Sequence, residues 1–226
     1  VLFRSHLVSS TEPLEKRINK LKTSLYKVNP LTTVLAVTKY YDQDKISQLI
    51  EAGFTNLGEN RLQHAIPLIE HLSSSIVWHF IGPIQTNKLS KIIDYFDVIQ
   101  SVHSEKVLNK IVELAVKKQK NISIFLQVNF TGEDNKYGFS ERDIDDVLSK
   151  IELPRYVKIK GLMAMGPLTE DIHQIEMCYQ QVFQCFERLK KNYPSFEILS
   201  MGMTNDFLIA AENGASMVRI GRYFFN

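Results

Sequence analysis

The sequence predicts an α/β protein, and within that class a closed (β/α)8 barrel, a TIM barrel, with an extra N-terminal helix. Two observations predict this fold: short apolar runs alternate with longer segments of helical period, and eight such runs are separated by seven helices. This alternation is typical of a parallel sheet, because each parallel pair needs a crossover. An open doubly wound sheet is the alternative, but no G-x-G-x-x-G motif of dinucleotide-binding sheets follows the first run.

The N-terminal helix, the strands and the helices between them follow from the local pattern in chain order. An amphipathic segment at residues 14–26 predicts the extra helix, which we expect to cover the barrel where no helix follows the eighth strand. The apolar runs predict strands centred on residues 34–37, 56–58, 77–81, 98–101, 124–128, 159–163, 197–199 and 216–220. The segments of helical period predict helices at residues 44–52, 61–72, 86–96, 105–118, 141–150, 172–192 and 205–213.

Composition and charge indicate one domain over residues 1–226 and argue against several classes of protein. The formal net charge is only +2 and the lysines are scattered over predicted helices, so we expect no nucleic-acid partner. No apolar stretch is long enough to cross a bilayer and no signal-peptide pattern opens the chain, so we expect no membrane association. Cys178 and Cys185 lie seven positions apart in one predicted helix, too far for a disulfide, which favours the reducing cytoplasm.

Lys39 stands at the end of the first apolar run, where a buried strand should stop. An amine at such a place can attack an aldehyde in its neutral form and produce a Schiff base. Most lysines at strand ends extend to water instead, so this residue needs supporting signals before it indicates a site.

Those signals come from the loops after the last two predicted strands. TIM-barrel enzymes place their sites at the carboxyl ends of the strands and frequently bind a phosphate after strands seven and eight. Thr204 offers a hydroxyl in one loop, and Gly221 lets the backbone of the other approach a phosphate closely. A plain helix cap and a plain turn are the alternatives for these two loops. Together with Lys39 they favour a site for a phosphorylated aldehyde.

Four further residues have both a structural and a functional interpretation. His79 is either a hydrogen-bonded core histidine or a ligand contact, and Asn60 either caps the next helix or contacts the ligand. Met163 is interpreted as core lining at the barrel mouth. Arg219 lies inside an apolar strand, where a charge is costly, so we expect it to have a partner or a ligand. The six histidines follow no metal-ligand spacing, and we predict no metal site.

Several motifs occur in an order that resembles one known family. They occupy residues 36–39, 54–60, 78–88, 160–165, 200–206 and 217–221, and the Trp-His-Phe-Ile-Gly-Pro-Ile-Gln-Thr-Asn-Lys stretch at 78–88 is the most specific. From about Leu14 onward the chain is similar to the pyridoxal phosphate homeostasis proteins (YggS/PROSC-like). That family shares the fold of the alanine racemase N-terminal domain, so the resemblance implies the same barrel here.

The resemblance also implies roles for individual residues. Lys39 would form an internal aldimine with pyridoxal 5'-phosphate (PLP), while Thr204 and the backbone of Gly221 and Arg222 would hold the phosphate. Arg219 matches the residue that faces the pyridine nitrogen in the racemase fold. A permanently charged guanidinium cannot protonate that nitrogen, which limits carbanion chemistry. The other residues implied to line the pocket are Asn60, His79, Met163 and Ser200.

By this resemblance the chain is a non-catalytic, monomeric PLP carrier and regulator in vitamin B6 and amino-acid homeostasis, with PLP-dependent apoenzymes as expected partners. The alternative is a PLP-dependent amino-acid racemase acting with a lone barrel domain. We expect no second domain to supply the tyrosine base for two-base racemisation. A Schiff-base aldolase for sugar phosphates is a third interpretation. Arg222 departs from the small or hydroxyl residue usual in the family, but its backbone could still contact a phosphate.

Overall fold

Eight parallel strands close into a barrel in their order along the chain, and the last strand pairs with the first. The computed structural model describes residues 12–39, 41–72, 75–131 and 137–225. This architecture confirms the predicted (β/α)8 fold over the open sheet. The strands are β1 (Thr33–Val37), β2 (Asn56–Glu59), β3 (Val77–Phe80), β4 (Val98–Val102), β5 (Ile122–Val128), β6 (Val157–Ala164), β7 (Ile198–Ser200) and β8 (Met217–Ile220).

Helices lie between consecutive strands, and one helix precedes the barrel. The helices are α1 (Leu14–Val28), α2 (Gln43–Glu51), α3 (Leu62–His71), α4 (Leu89–Tyr95), α5 (Glu105–Lys118), α6 (Glu141–Lys150), α7 (Ile172–Asn192) and α8 (Phe207–Glu212). Helix α1 packs against α8, and the Arg17 guanidinium donates to the carbonyl of Phe224, just after β8, at 3.0 Å. The N-terminal helix therefore covers the gap after the eighth strand, as predicted. None of the helices in the described ranges is both long and apolar enough to span a bilayer.

The structure corrects some predicted boundaries near strand ends. The helix predicted at 86–96 begins with a separate 3-10 turn, Thr86–Lys88, before α4. Helix α8 is only six residues long, because a turn in which Asp206 accepts from the backbone N–H of Met203 occupies the predicted first turn. Strand β7 extends through Ser200, so this residue lies within the sheet rather than in the loop.

Apolar side chains fill both sides of the sheet because successive residues of a strand point to opposite faces. The larger cluster lies between strands and helices. A smaller inner cluster fills the barrel interior. Its buried members are Leu35, Val98, Phe125, Met163 and Met217.

Polar side chains lie two residues beyond members of the inner cluster on four strands. A step of two residues keeps a side chain on the same face and moves it towards the carboxyl end of the strand. The polar interior of the barrel therefore lies nearer the rim that carries the strand-end loops. The pairs are Val98 and Gln100 on β4, Phe125 and Gln127 on β5, Ile198 and Ser200 on β7, and Met217 and Arg219 on β8.

Strand pairing around Gly161 leaves no space for a side chain. A Cβ atom at Gly161 would lie 1.7 Å from the carbonyl oxygen of Ile198 on β7. Gly53 has positive φ but nothing within 4 Å of its Cβ position. We expect Gly161→Ala to lower the free energy of unfolding by ~3 kcal/mol or more through backbone displacement. Gly53→Ala should cost only about 1 kcal/mol of conformational strain. Urea unfolding measures both, and equal losses would contradict the steric explanation.

Candidate functional site

The predicted ligand-binding residues of the loops meet in one sector of the barrel rim. Lys39 follows β1 by two residues, Asn60 follows β2 directly, and Thr204 lies four residues beyond β7. Gly221 and Arg222 come directly after β8. The strands β7, β8, β1 and β2 are consecutive neighbours in the closed barrel. The carboxyl ends of these four strands therefore present an amine, an amide, a hydroxyl and a glycine turn side by side.

Arg219 is buried inside this sector, with 5% of its surface exposed. Its Nη1 donates to the carbonyl oxygen of Ser200 at 2.8 Å and to the Ser200 hydroxyl at 3.0 Å. Its Nη2 donates to the carbonyl oxygen of Ala164 at 2.7 Å. Burial lowers the pKa of Arg219, but a guanidinium starts so far above neutrality that it stays charged. The expectation of polar partners is confirmed, and all three acceptors are uncharged.

A chain of buried side chains continues from Arg219 across the barrel. The Ser200 hydroxyl lies 2.7 Å from Gln100 Oε1, and Gln100 Nε2 lies 2.9 Å from His79 Nδ1. His79 Nε2 lies 3.0 Å from Asn56 Oδ1. Gln100 and Asn56 were not among the predicted site residues. The available signal for Gln100 was an amide at an inward-facing position of an otherwise apolar run.

His79 is a satisfied core histidine, in agreement with the structural interpretation of the sequence. It is 2% exposed, both ring nitrogens have hydrogen-bond partners, and its ring meets that of Phe125 edge to face at 6.4 Å. Burial lowers the pKa of His79 to about 3, so the imidazole is neutral near pH 7. Any contribution of His79 to a ligand site is that of a neutral, oriented ring.

The structure agrees with the structural interpretation of Met163 but not with that of Asn60. Met163 is 2% exposed and belongs to the inner cluster, as expected for a residue that lines the core. The interpretation of Asn60 as a helix cap is wrong, because α3 begins at Leu62 with Arg61 at the cap position. The Oδ1 atom of Asn60 is buried and accepts no hydrogen bond from the described residues. An orphaned acceptor at the rim is suited to a ligand or a water molecule.

Side chains that sequence reasoning missed hold the two phosphate-loop candidates. The Tyr41 hydroxyl donates to the carbonyl oxygen of Gly221 at 2.8 Å, which ties the loop after β8 to the loop after β1. The Asp206 carboxylate accepts from the backbone of Met203 and from the Tyr179 hydroxyl at 2.7 Å. These bonds fix the turn that contains the half-buried Thr204. Arg222 is exposed beside Gly221.

A buried carboxyl lies behind Lys39 on the other face of the sheet. The Thr38 hydroxyl donates to Glu59 Oε1 at 2.5 Å, and both side chains are fully buried. His64 Nδ1, on the partly exposed side of α3, lies 3.1 Å from the same oxygen. Burial raises the pKa of Glu59 above the ordinary value of 4.5, although Thr38 and His64 oppose that change. The residue next to Lys39 is thus anchored to a protonatable group.

The raised pKa of Glu59 predicts a pH-dependent stability. The folded protein binds the proton more tightly than the unfolded chain, so stability falls as pH rises from about 4.5 through the raised folded pKa. We expect Glu59→Gln to remove this fall, whose slope reaches at most ~1.4 kcal/mol per pH unit. Urea unfolding as a function of pH measures it. Glu113→Gln, at an exposed carboxylate paired with Lys110, is the control. An unchanged slope in Glu59→Gln would contradict the assignment.

Known proteins are similar to this chain in sequence over most of its length. The family described as alanine racemase, N-terminal domain, matches residues 10–226. The pyridoxal phosphate homeostasis protein of Pasteurella multocida is 34% identical over 197 residues, covering 85% of this chain and 84% of that protein. The homologue in Escherichia coli K12, of the same description, is 32% identical over 199 residues, covering 85% of this chain and 84% of that protein.

Solved structures agree with these relatives. PipY of Synechococcus elongatus PCC7942, solved with PLP bound, superposes with a TM-score of 0.84 and 27% identity, covering 94% of this chain and 100% of PipY. Alanine racemase of Clostridium difficile 630 superposes with a TM-score of 0.74 over 95% of this chain and 56% of that enzyme. At 15% identity the racemase shows the shared fold alone. The chain therefore belongs to the pyridoxal phosphate homeostasis protein family, built on the barrel of the alanine racemase N-terminal domain.

Proposed function

We propose that this chain binds PLP covalently through Lys39 and acts as a carrier and regulator of the cofactor in vitamin B6 and amino-acid homeostasis, without turnover of its own. The observation that carries the proposal is the position of Lys39 in the same rim sector as the loops after β7 and β8. Membership of the homeostasis protein family and the PLP bound to PipY support it.

The rim residues fit a phosphorylated aromatic aldehyde in each of its parts. The Lys39 amine would attack the aldehyde carbon, a C=N bond would replace the C=O bond, and the carbonyl oxygen would leave as water with the two protons of the neutral amine. The Thr204 hydroxyl and the backbone N–H groups of Gly221 and Arg222 are donors suited to a phosphate. The orphaned Oδ1 of Asn60 is an acceptor that a polar ligand could satisfy. When bound, PLP supplies an electron-withdrawing ring next to the reacting carbon.

The groups around Arg219 support a role without turnover. Arg219 donates hydrogen bonds to two carbonyls and a hydroxyl. Because its guanidinium stays charged, it can donate a hydrogen bond to a ring nitrogen but cannot transfer a proton to it. His79 is neutral near pH 7 and has both nitrogens occupied. The Tyr179 hydroxyl donates to Asp206. Burial, and to a lesser extent the Asp206 carboxylate, raises the pKa of Tyr179. None of these three side chains is poised to exchange a proton with a substrate carbon at neutral pH.

The remaining parts of the proposal concern partners and location. PLP-dependent apoenzymes are proposed as recipients of the cofactor, and the chain is proposed to act as a monomer in the cytoplasm. The placement of Cys178 and Cys185 on the buried side of α7 is in keeping with a reducing compartment.

Lys39→Ala tests the covalent attachment. Wild type incubated with PLP should develop a visible absorbance band, and borohydride reduction should then fix the cofactor to the peptide that contains residue 39. Lys39→Ala should lose the band and the adduct, because it has no amine to condense. Lys110→Ala removes an exposed lysine paired with Glu113 on α5 and should behave as wild type. Identical spectra for wild type and Lys39→Ala would refute the attachment, and an adduct with sugar phosphates but not PLP would favour the aldolase interpretation.

Hydrogen exchange separates a carrier from a racemase that acts with a lone barrel. Alanine incubated with the PLP-loaded protein in deuterated water should exchange its α-hydrogen no faster than with the same concentration of PLP alone. The reason is that Arg219 cannot protonate the ring nitrogen, and His79 and Tyr179 supply no second proton-transfer group beside the Lys39 amine at neutral pH. Proton NMR of alanine follows the exchange. A rate above that of PLP alone that disappears in Lys39→Ala, together with conversion of L-alanine to D-alanine, would establish the racemase alternative.

A further inference from the structure

Gln100 occupies the centre of the polar chain inside the barrel and has no role assigned so far. Its side chain is fully buried. Strand β4 carries an extra residue at this point, since Ile99 pairs with Ile124 but Val102 pairs with Leu126. Bulges of this kind redirect side chains and are common next to functional sites. Here the irregularity spans Gln100 and Ser101, and Gln100 contacts groups on three other strands, β3, β7 and β8.

The direction of every hydrogen bond in this network of buried side chains follows from Arg219. A guanidinium can only donate, so the Ser200 hydroxyl oxygen accepts from it at 3.0 Å. The hydroxyl proton of Ser200 must then find another acceptor, and Gln100 Oε1 lies 2.7 Å away. The Gln100 amide is thereby oriented, with its NH2 group facing His79 Nδ1 at 2.9 Å and the weak acceptor Met217 Sδ at 3.4 Å.

The orientation of Gln100 determines the state of His79. Nδ1 accepts from the amide, so the single proton of the neutral ring lies on Nε2, which donates to Asn56 Oδ1 at 3.0 Å. The burial that lowers the pKa of His79 agrees with a ring that stays neutral. One amide thus links the guanidinium on β8 to the imidazole on β3.

We propose that Gln100 is a positioning residue that sets the tautomer of His79 and the rotamer of Ser200. Through Ser200 it also fixes the position of the Arg219 guanidinium at the cofactor site. The part that concerns the cofactor rests on the proposed function. The part that concerns His79 stands without it, because each of its contacts lies within the protein.

Gln100→Glu tests the direction of the chain with little change in shape. Once ionised, the introduced carboxylate has no hydrogen to donate, so an oxygen faces His79 Nδ1 and that nitrogen must carry a proton. Nitrogen-15 NMR of the full chain with labelled histidines and no PLP should show Nδ1 unprotonated in wild type and protonated in Gln100→Glu. Because burial raises the pKa of a carboxyl, the spectra are recorded as a function of pH into the range where the carboxylate is ionised. His79→Asn identifies the resonance by its loss.

Gln127 provides the matched control. It is the buried glutamine of β5, 5% exposed. Its Nε2 donates to the carbonyl oxygen of Tyr137, which is not part of the hydrogen-bonded network from Arg219 to Asn56. Gln127→Glu should leave the His79 nitrogens as in wild type. If Gln100→Glu does not fold, Gln100→Leu and Gln127→Leu replace the pair. Nδ1 should then shift to the resonance of an unbonded nitrogen only in Gln100→Leu. An unchanged His79 in the folded Gln100 variant would overturn the proposal.

Absorbance then tests the link to the cofactor site. We expect the Gln100 variant to bind PLP about tenfold more weakly, with a displaced visible band, because Arg219 loses the fixed orientation of Ser200. The Gln127 variant should match wild type. A displaced NMR resonance with an unchanged PLP band and affinity would overturn the link to Arg219. No PLP band in wild type would overturn the proposed function, while the NMR result would still decide the role of Gln100 towards His79.

Discussion

A buried guanidinium inside a closed barrel must be surrounded by hydrogen-bond acceptors, and this requirement organises the interior of the protein. Arg219 meets it with the carbonyl oxygens of Ala164 and Ser200, each the last residue of its strand, and with the Ser200 hydroxyl. The ends of β6, β7 and β8 are thereby linked to a single charge. The hydroxyl then requires its own acceptor, which extends the network through Gln100 to His79 and across the barrel.

The position of this network relative to the apolar packing explains how a polar interior is tolerated. Leu35, Val98, Phe125, Met163 and Met217 fill the barrel below it. These side chains supply the packing, while the polar layer lies one step closer to the rim where Lys39 emerges. Behind the rim, Thr38 and Glu59 repeat the arrangement on the outer face, because Thr38 is anchored to a carboxyl whose pKa is raised by burial. Lys39 thus lies in a segment with two fixed points. Thr38 is bound to Glu59, and the Tyr41 hydroxyl is bound to the carbonyl oxygen of Gly221.

Burial, together with the hydrogen bonds that order the interior, withdraws His79 and Tyr179 from proton transfer. A residue that acts as a general acid or base needs a pKa near the working pH and a proton that can leave. His79 has a pKa of about 3, and the Tyr179 hydroxyl is bound to Asp206. His79 and Tyr179 are therefore oriented by their partners but are not suited to exchange protons near neutral pH.

The sequence by itself determined the α/β class, the order of the strands and the rim residues, because periodicity and strand ends are properties of each segment alone. Lys39 and Gly221 could be found in this way, and the motifs at 78–88 and 200–206 predicted the family.

Only the tertiary structure decided which buried groups meet. Gln100 reaches Ser200 and His79 because the predicted barrel closes and a bulge in β4 redirects the side chain, and neither the register nor the bulge is encoded locally. The correction to Asn60 has the same origin: α3 begins at Leu62 with Arg61 at the cap position, and the buried Asn60 Oδ1 accepts no hydrogen bond from the described residues.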